Sequence, residues 1–235
     1  MLLEVKDLDS GYGFLQVLWG VSLHVDHGEF VCVIGPNGAG KSTIFKTICG
    51  LVPSAKGEIL FKGRCINKLE TNRICQRGLC YISEETNLFT GMTVLENLIM
   101  GGYTLKDKKK KKQLLDDVFS LFPRLEERRN QLAGTMSGGE RKMLAIGRGI
   151  MSDPELLLVD EPSLGLAPVI TLQVMRAMEV LRKNGMTLIL VEQNVKKTLQ
   201  ITDRGYILEK GQIAMQGRSA DLAQDEHVRK VFLGV

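Results

Sequence analysis

Nine consecutive residues hold the densest chemistry in this sequence: Gly35, Pro36, Asn37, Gly38, Ala39, Gly40, Lys41, Ser42 and Thr43. The first eight fit G-x-x-x-x-G-K-[ST], and they follow an apolar run and precede a helical one, as the pattern requires. Glycines let the backbone curl until successive N–H groups point inward and cradle phosphate oxygens. The helix N-terminus that follows adds positive potential. Lys41 is placed to reach β- and γ-phosphates, and the Ser42 hydroxyl to ligate Mg²⁺. A glycine-rich turn arising by chance is the other reading, and the strand–loop–helix context makes it the minor one.

Two further constellations matter. In Leu156-Leu157-Leu158-Val159-Asp160-Glu161 an apolar run delivers two carboxylates at its C-terminal end, where ligands of open α/β sheets bind. Asp160 would hold the Mg²⁺ shell, and Glu161 would polarise or deprotonate an attacking water. Alone, a strand ending in solvated acids would be the better reading; beside the phosphate loop it is the lesser one. Met136-Ser137-Gly138-Gly139-Glu140 opens a helical run over 141–150. Its glycines leave N–H groups uncovered at a helix N-terminus, and Ser137 adds a hydroxyl donor, so it reads as a second anion site. Taken in isolation, an ordinary serine N-cap with flexible glycines explains it better.

The elements that must position these residues alternate. Residues 2–8 and 19–25 read as strands, and 30–34 is a continuous apolar run like a buried strand. A helix is expected over 41–49, stopped by Gly50. Further strands are expected at 57–61, 79–82, 156–159 and 187–191, with a helix at 169–184 and a hairpin of 206–208 and 212–215 around Lys210-Gly211. From Ala220 onward the chain reads as helical. Residues 93–130 show no strand pattern; Val94, Leu95, Leu98 and Ile99, and then Leu114, Leu115, Val118, Phe119 and Phe122, have helical spacing. Residues 88–135 are therefore read as an all-helical insertion in one α/β domain spanning 1–235, with a mainly parallel sheet.

Composition excludes several classes. At 44% hydrophobic and 25% charged residues, the chain is an ordinary globular one rather than a disordered one. No apolar run approaches the roughly 20 residues a membrane span needs. The first seven residues carry charges where a secretory leader needs its apolar stretch, so none is expected. The net charge of +4 is too small to point to nucleic acid. Five cysteines without a Cys-x-x-Cys pair, and only three histidines, argue for reduced thiols and against a zinc site or a disulfide framework.

The three constellations, in this order, resemble the nucleotide-binding subunit of ATP-binding-cassette (ABC) transporters over essentially the whole chain. The resemblance implies a P-loop NTPase (RecA-like) core, an N-terminal antiparallel β subdomain and the inserted helical subdomain. It implies ATP and Mg²⁺ as ligands, with Gly35 to Thr43 on the phosphates. Tyr12, in Gly11-Tyr12-Gly13, matches the aromatic on which the family stacks adenine; by itself a core or turn tyrosine fits as well. Ser137, Gly138, Gly139 and Glu140 match the signature that contacts ATP held by a second subunit in a head-to-tail dimer.

This chain departs from the family pattern at four places. Glu84 replaces the usual Gln between core and insertion, and is assigned to the metal shell with Ser42 and Asp160. Gln193 replaces the usual His and is assigned to catalysis with Glu161. Glu140 replaces a Gln, and the loop after Glu161 lacks its usual Asp. Glu-Pro-Ser-Leu-Gly-Leu-Ala-Pro (161–168), Val191-Glu192-Gln193-Asn194, Phe122-Pro123-Arg124-Leu125 and Phe232-Leu233-Gly234 closely resemble one subgroup, the LivF-type ATPases of branched-chain amino acid importers. That implies transmembrane permease subunits as partners, docked near Glu84, no nucleic acid, no direct contact with the transported substrate, and a cytoplasmic place on the inner face of the membrane. A lipopolysaccharide-export ATPase and a soluble non-transport ABC ATPase are the alternatives. The lysine run at 106–112 reads first as a solvated helix face, with contact to anionic lipid headgroups or nucleic acid as the alternatives.

Overall fold

The computed structural model describes residues 1–233. Of the terminal Phe232-Leu233-Gly234 stretch, Gly234 lies outside the described residues. The chain begins with strands β1 (Leu3–Tyr12), β2 (Leu15–Val25) and β3 (Phe30–Ile34), then helix α1 (Lys41–Ile48). Strands β4 (Ser54–Phe61) and β5 (Arg64–Cys65), helix α2 (Thr71–Cys75) and strand β6 (Leu79–Ile82) follow. Helices α3 (Val94–Gly101), α4 (Lys108–Leu121) and α5 (Pro123–Glu127) and a 3₁₀ turn at Ala133–Thr135 lead to α6 (Gly138–Ile150). Alternation then resumes with β7 (Leu156–Asp160), α7 (Pro168–Lys183), β8 (Thr187–Glu192) and α8 (Val195–Ile201). Strands β9 (Arg204–Glu209) and β10 (Gln212–Arg218) and the short helices α9 (Ser219–Leu222) and α10 (Glu226–Val228) come last, before a π-helical turn at Arg229–Leu233.

Two sheets form. One is antiparallel, in the order β2-β1-β4-β5; the other runs β10-β9-β3-β8-β7-β6 and is parallel except for the β9/β10 hairpin. The central strands β3, β7 and β8 are buried at every residue, which is why they read as unbroken apolar runs. Side-chain alternation sends Val31, Val33, Leu156 and Leu158 to a core shared with α1 and the antiparallel sheet. Leu157, Val159, Leu188 and Leu190 face the opposite side, in one cluster with Val94, Leu98, Val118 and Leu125 of α3 to α5 and Leu144 of α6. The helices at 94–127 therefore share a core with the parallel sheet.

Several boundaries moved. Strands β1 and β2 reach Tyr12 and Leu15, beyond the expected 2–8 and 19–25, because register shifts between Val5 and Gly11 break the alternation that marks a strand. Strand β5 and helix α2 are too short to show a period. The C-terminal helical reading resolves into short pieces, since Asp225 starts a new cap by accepting from the Val228 N–H. Gly50 does stop α1, at φ 71°. In the β9/β10 turn, Lys210 and Gly211 both have positive φ, 47° and 79°, as a two-residue type I′ hairpin needs.

Candidate active site

Parallel strands β3, β6, β7 and β8 all end at one edge of the sheet, and the site is built there. Gly35 follows β3, and a Cβ at that position would lie 2.2 Å from the Leu208 carbonyl oxygen. Gly40 has φ 105°, and its Cβ would press on Leu18 Cδ2 at 2.8 Å, so no side chain is tolerated in this conformation. The β9/β10 turn braces the loop from outside, Gly211 N donating to the Ala39 carbonyl at 3.0 Å. Gly40 caps α1 without a side-chain hydrogen bond, and no acid stands in the first turn, so the helix's positive N-terminus is uncompensated. Pro36, Asn37 and Gly38 face solvent, while Lys41 is 5% exposed. The Lys41 ammonium donates to the carbonyls of Gly35 (3.0 Å) and Pro36 (3.2 Å) and lies 3.4 Å from Glu161 Oε1.

The two acids at the end of β7 have different partners. Asp160, 1% exposed, accepts from Ser42 Oγ on Oδ1 (3.0 Å) and from the Tyr81 hydroxyl on Oδ2 (2.9 Å). Burial, and then the Asp160 charge, push the Tyr81 phenol well above its usual range, so it stays a donor. Glu161 sits at φ 44°, a left-handed conformation rare outside glycine, held by its N–H donating to the Val191 carbonyl at 2.9 Å. Its carboxylate lies between Lys41 and Gln193, whose Nε2 donates to Oε2 at 2.7 Å. Burial raises the Glu161 carboxyl above its ordinary value; Lys41 and Gln193 oppose this, and the Glu192 charge adds to it. A buried carboxylate with a raised pKa and a lysine beside it can accept a proton from water. Glu192 accepts the N–H groups of Ser163 (2.9 Å) and Gln193 (3.1 Å), tying together the loops after β7 and β8.

Ser42 and Asp160 suit Mg²⁺. Both present hard oxygens, and their 3.0 Å separation matches the roughly 3 Å edge of an octahedron with 2.0–2.1 Å bonds. Among the described residues no group of three His, Cys, Asp or Glu side chains forms a metal cluster, so phosphate and water would supply the remaining ligands.

Other residues singled out by sequence lie elsewhere. Tyr12 is 46% exposed at the tip of the β1/β2 hairpin. Glu84 is exposed beyond β6, and it is its carbonyl that is held, by the buried Lys142 ammonium at 2.8 Å. Burial lowers the Lys142 pKa, against the pull of Glu84, Asp160, Glu192 and Glu161. Ser137 and Gly138 are exposed at the start of α6, and among the described residues no hydrogen bond joins them to the phosphate loop. Sequence reasoning missed Tyr81, Glu192 and Lys142. Each acts through a partner that is distant in the chain, as when Tyr81 reaches Asp160 across the parallel β6/β7 pairing. A groove of about 470 Å³ opens beyond Ser83 and Thr86, where Phe89, Met100 and Tyr103 are exposed. Arg148 backs it, donating to the Thr86 carbonyl at 3.1 Å and lying 5.4 Å over the Phe89 ring.

Known proteins resemble this chain in sequence and in fold. A family model described as ABC transporter matches residues 18–164. The chain is 46% identical over 233 residues, 99% of its length and 100% of the relative's, to the high-affinity branched-chain amino acid transport ATP-binding protein BraG of Pseudomonas aeruginosa. It is 34% identical over 234 residues, 99% of its length and 97% of the relative's, to the lipopolysaccharide export system ATP-binding protein LptB of Escherichia coli. Among solved structures it superposes on an ATP-binding subunit of an ABC transporter with a TM-score of 0.86 at 30% identity, covering 100% of this chain and 97% of that one.

Proposed function

The chain belongs to the ABC transporter family as one of its ATP-hydrolysing subunits, and from that premise we propose that it energises a branched-chain amino acid importer. The observation that carries the catalytic reading is the run of contacts from the buried Lys41 and Glu161 out to the exposed Gln193, which holds a general base beside the cation of the phosphate loop.

In this reading the N–H groups from Gly35 to Thr43 and the Lys41 ammonium bind the β- and γ-phosphates of ATP, and Tyr12 stacks on adenine. Ser42 and Asp160 hold Mg²⁺, which neutralises phosphate charge when bound. Glu161 takes the proton of the attacking water. Gln193 orients Glu161 and keeps one face of its carboxylate occupied, so the other is directed toward the phosphate. Glu84, exposed beyond β6 with its carbonyl held by Lys142, is the remaining candidate for the metal shell of Ser42 and Asp160. Ser137, Gly138 and Gly139 of a second cassette, with Glu140 behind them, close over the γ-phosphate; the exposure of Ser137 and Gly138, and the lack among the described residues of any hydrogen bond from them to the chain's own phosphate loop, support a partner's nucleotide as their ligand.

Residues 88–135 act as the inserted helical unit, supported by α3 to α5 lying within them. Permease subunits dock in the groove beyond Ser83, where Phe89, Met100 and Tyr103 offer apolar surface beside the Glu84 loop. Among the described residues no helix is long and apolar enough to cross a membrane, which supports a peripheral place on the cytoplasmic face with the spans supplied by partners. The transported molecule then never touches this chain, and no nucleic acid is involved.

The higher identity to the amino-acid relative than to the lipopolysaccharide relative favours amino-acid import. Reconstitution in proteoliposomes with the permease subunits that co-purify with the chain tests this. ATP-dependent leucine uptake, lost with Glu161→Gln, is the expected result. ATPase activity in the complex without uptake of leucine, isoleucine or valine overturns the substrate reading and leaves the ATPase reading standing.

A further inference from the structure

Glu140 grips the serine that it follows. Its Oε2 accepts from the Ser137 hydroxyl at 2.8 Å and from the Ser137 N–H at 3.0 Å, and Ser137 Oγ in turn accepts from the Glu140 N–H at 3.3 Å. The other carboxylate oxygen, Oε1, lies 3.0 Å from Nε of Arg128, just past the end of α5. Arg128 Nη1 donates to Gln131 Oε1 at 3.1 Å, and Gln131 Nε2 donates to Thr135 Oγ1 at 2.9 Å, two residues before Ser137. Burial would raise the Glu140 carboxyl, but the Ser137 hydrogen bonds outweigh it, helped by Arg128 and Arg124, and hold it below its usual range. Glu140 is therefore an anion at neutral pH.

This arrangement has two consequences for an anion arriving at Ser137. The hydroxyl proton already points at a carboxylate, so it must rotate before it can donate to a phosphate oxygen. A full negative charge also stands behind the serine, where a neutral amide would make the same cap without repelling the ligand. Arg128 is the only cation within ion-pair distance of Glu140 among the described residues.

We propose that Glu140 and Arg128 form a charge latch that sets how tightly ATP joins two cassettes. Glu140 holds the Ser137 hydroxyl in the resting chain, and Arg128 cancels the charge that would otherwise repel the partner's γ-phosphate. Arg128 is a positioning residue: it acts on the nucleotide only through Glu140. The latch rests on the reading of Ser137, Gly138 and Gly139 as the second phosphate site.

The test is a double-mutant cycle in the full chain carrying Glu161→Gln, so that hydrolysis does not drain the dimer. The dissociation constant of the Mg-ATP dimer is measured by sedimentation velocity, with Mg-ADP as the control. Arg128→Gln is expected to weaken the dimer, and Glu140→Gln to tighten it, each by roughly tenfold, within the range of ordinary coupling energies. With Glu140→Gln already present, Arg128→Gln should have little further effect, a rescue that loss of helix packing would not produce. ATP affinity of the monomer should not change, because the phosphate loop is untouched. Equal weakening by Arg128→Gln with and without Glu140→Gln overturns the latch, as does a weaker dimer from Glu140→Gln alone. If the parent forms no dimer with Mg-ATP at any concentration, the second phosphate site falls and the latch falls with it.

Discussion

The phosphate loop and the Ser137 turn are both glycine-bearing starts of helices, and they are finished in opposite ways. Helix α1 begins at Gly40 with no side-chain cap and no acid in its first turn, leaving its N–H groups and positive potential for a ligand. Helix α6 begins with a complete capping box, and Glu140 supplies the negative charge itself. The first is walled in by β2, β9 and the turn after β7, through Leu18, Leu208 and Glu161; the second faces solvent. An uncapped helix start needs its ligand to satisfy it, so it belongs inside a prebuilt cradle. A capped one already has part of its N–H set and its charge satisfied, so it can wait exposed and exchange its cap for a ligand only when a second surface brings one.

If that contrast is right, damage to the cradle should be far costlier than damage to the turn. Glu161→Gln keeps the shape but removes the base, and should slow phosphate release by roughly 10²–10⁴-fold with ATP binding retained. Near wild-type turnover would remove Glu161 from catalysis. Lys41→Ala should weaken ATP by about 10²–10³-fold, since the loop loses its point charge and Glu161 its buried counter-ion; calorimetric titration measures this, and undiminished affinity would end the phosphate-loop assignment. Gln193→Ala frees Glu161 Oε2 and should lower kcat by roughly tenfold, the worth of about 1.4 kcal/mol in a hydrogen bond to a charged group, with ATP affinity little changed. Wild-type kcat would make Gln193 a bystander. The smallest effect belongs to the turn: Ser137→Ala should cost about 1 kcal/mol of stability, the usual worth of an N-cap, and leave ATP binding to the single chain unaltered. A shift in the urea midpoint reports it, and a loss of nucleotide affinity as large as that of Lys41→Ala would erase the distinction between the two sites.

Legibility in the sequence followed the range of the interactions. Strands β3, β7 and β8 were readable because full burial leaves no polar residue to interrupt them until Asp160 and Glu192. The hairpin around Lys210-Gly211 was readable because a two-residue turn with two positive φ values is a local demand. That Gly211 braces the phosphate loop through Ala39 was not, because that contact depends on how β9 docks against β3. Tyr81 gave no signal at all: it is one residue of a four-residue strand, and its role exists only because β6 lies beside β7.

The sequence by itself determined the phosphate loop with its strand and helix, because a cradle of consecutive N–H groups requires glycine at particular steps and nothing from farther away. It also determined that two carboxylates end a buried strand. Only the tertiary structure decided which does what. Asp160 turns to Ser42 and Tyr81, and Glu161 to Lys41 and Gln193, although the two acids are neighbours in the chain. Strand alternation sends adjacent side chains opposite ways, and the left-handed turn at Glu161 re-aims the second. Which partner each acid meets then depends on the order of β3, β8, β7 and β6 in the sheet. That order follows from burying two faces of one sheet at once, and no short stretch of residues encodes it.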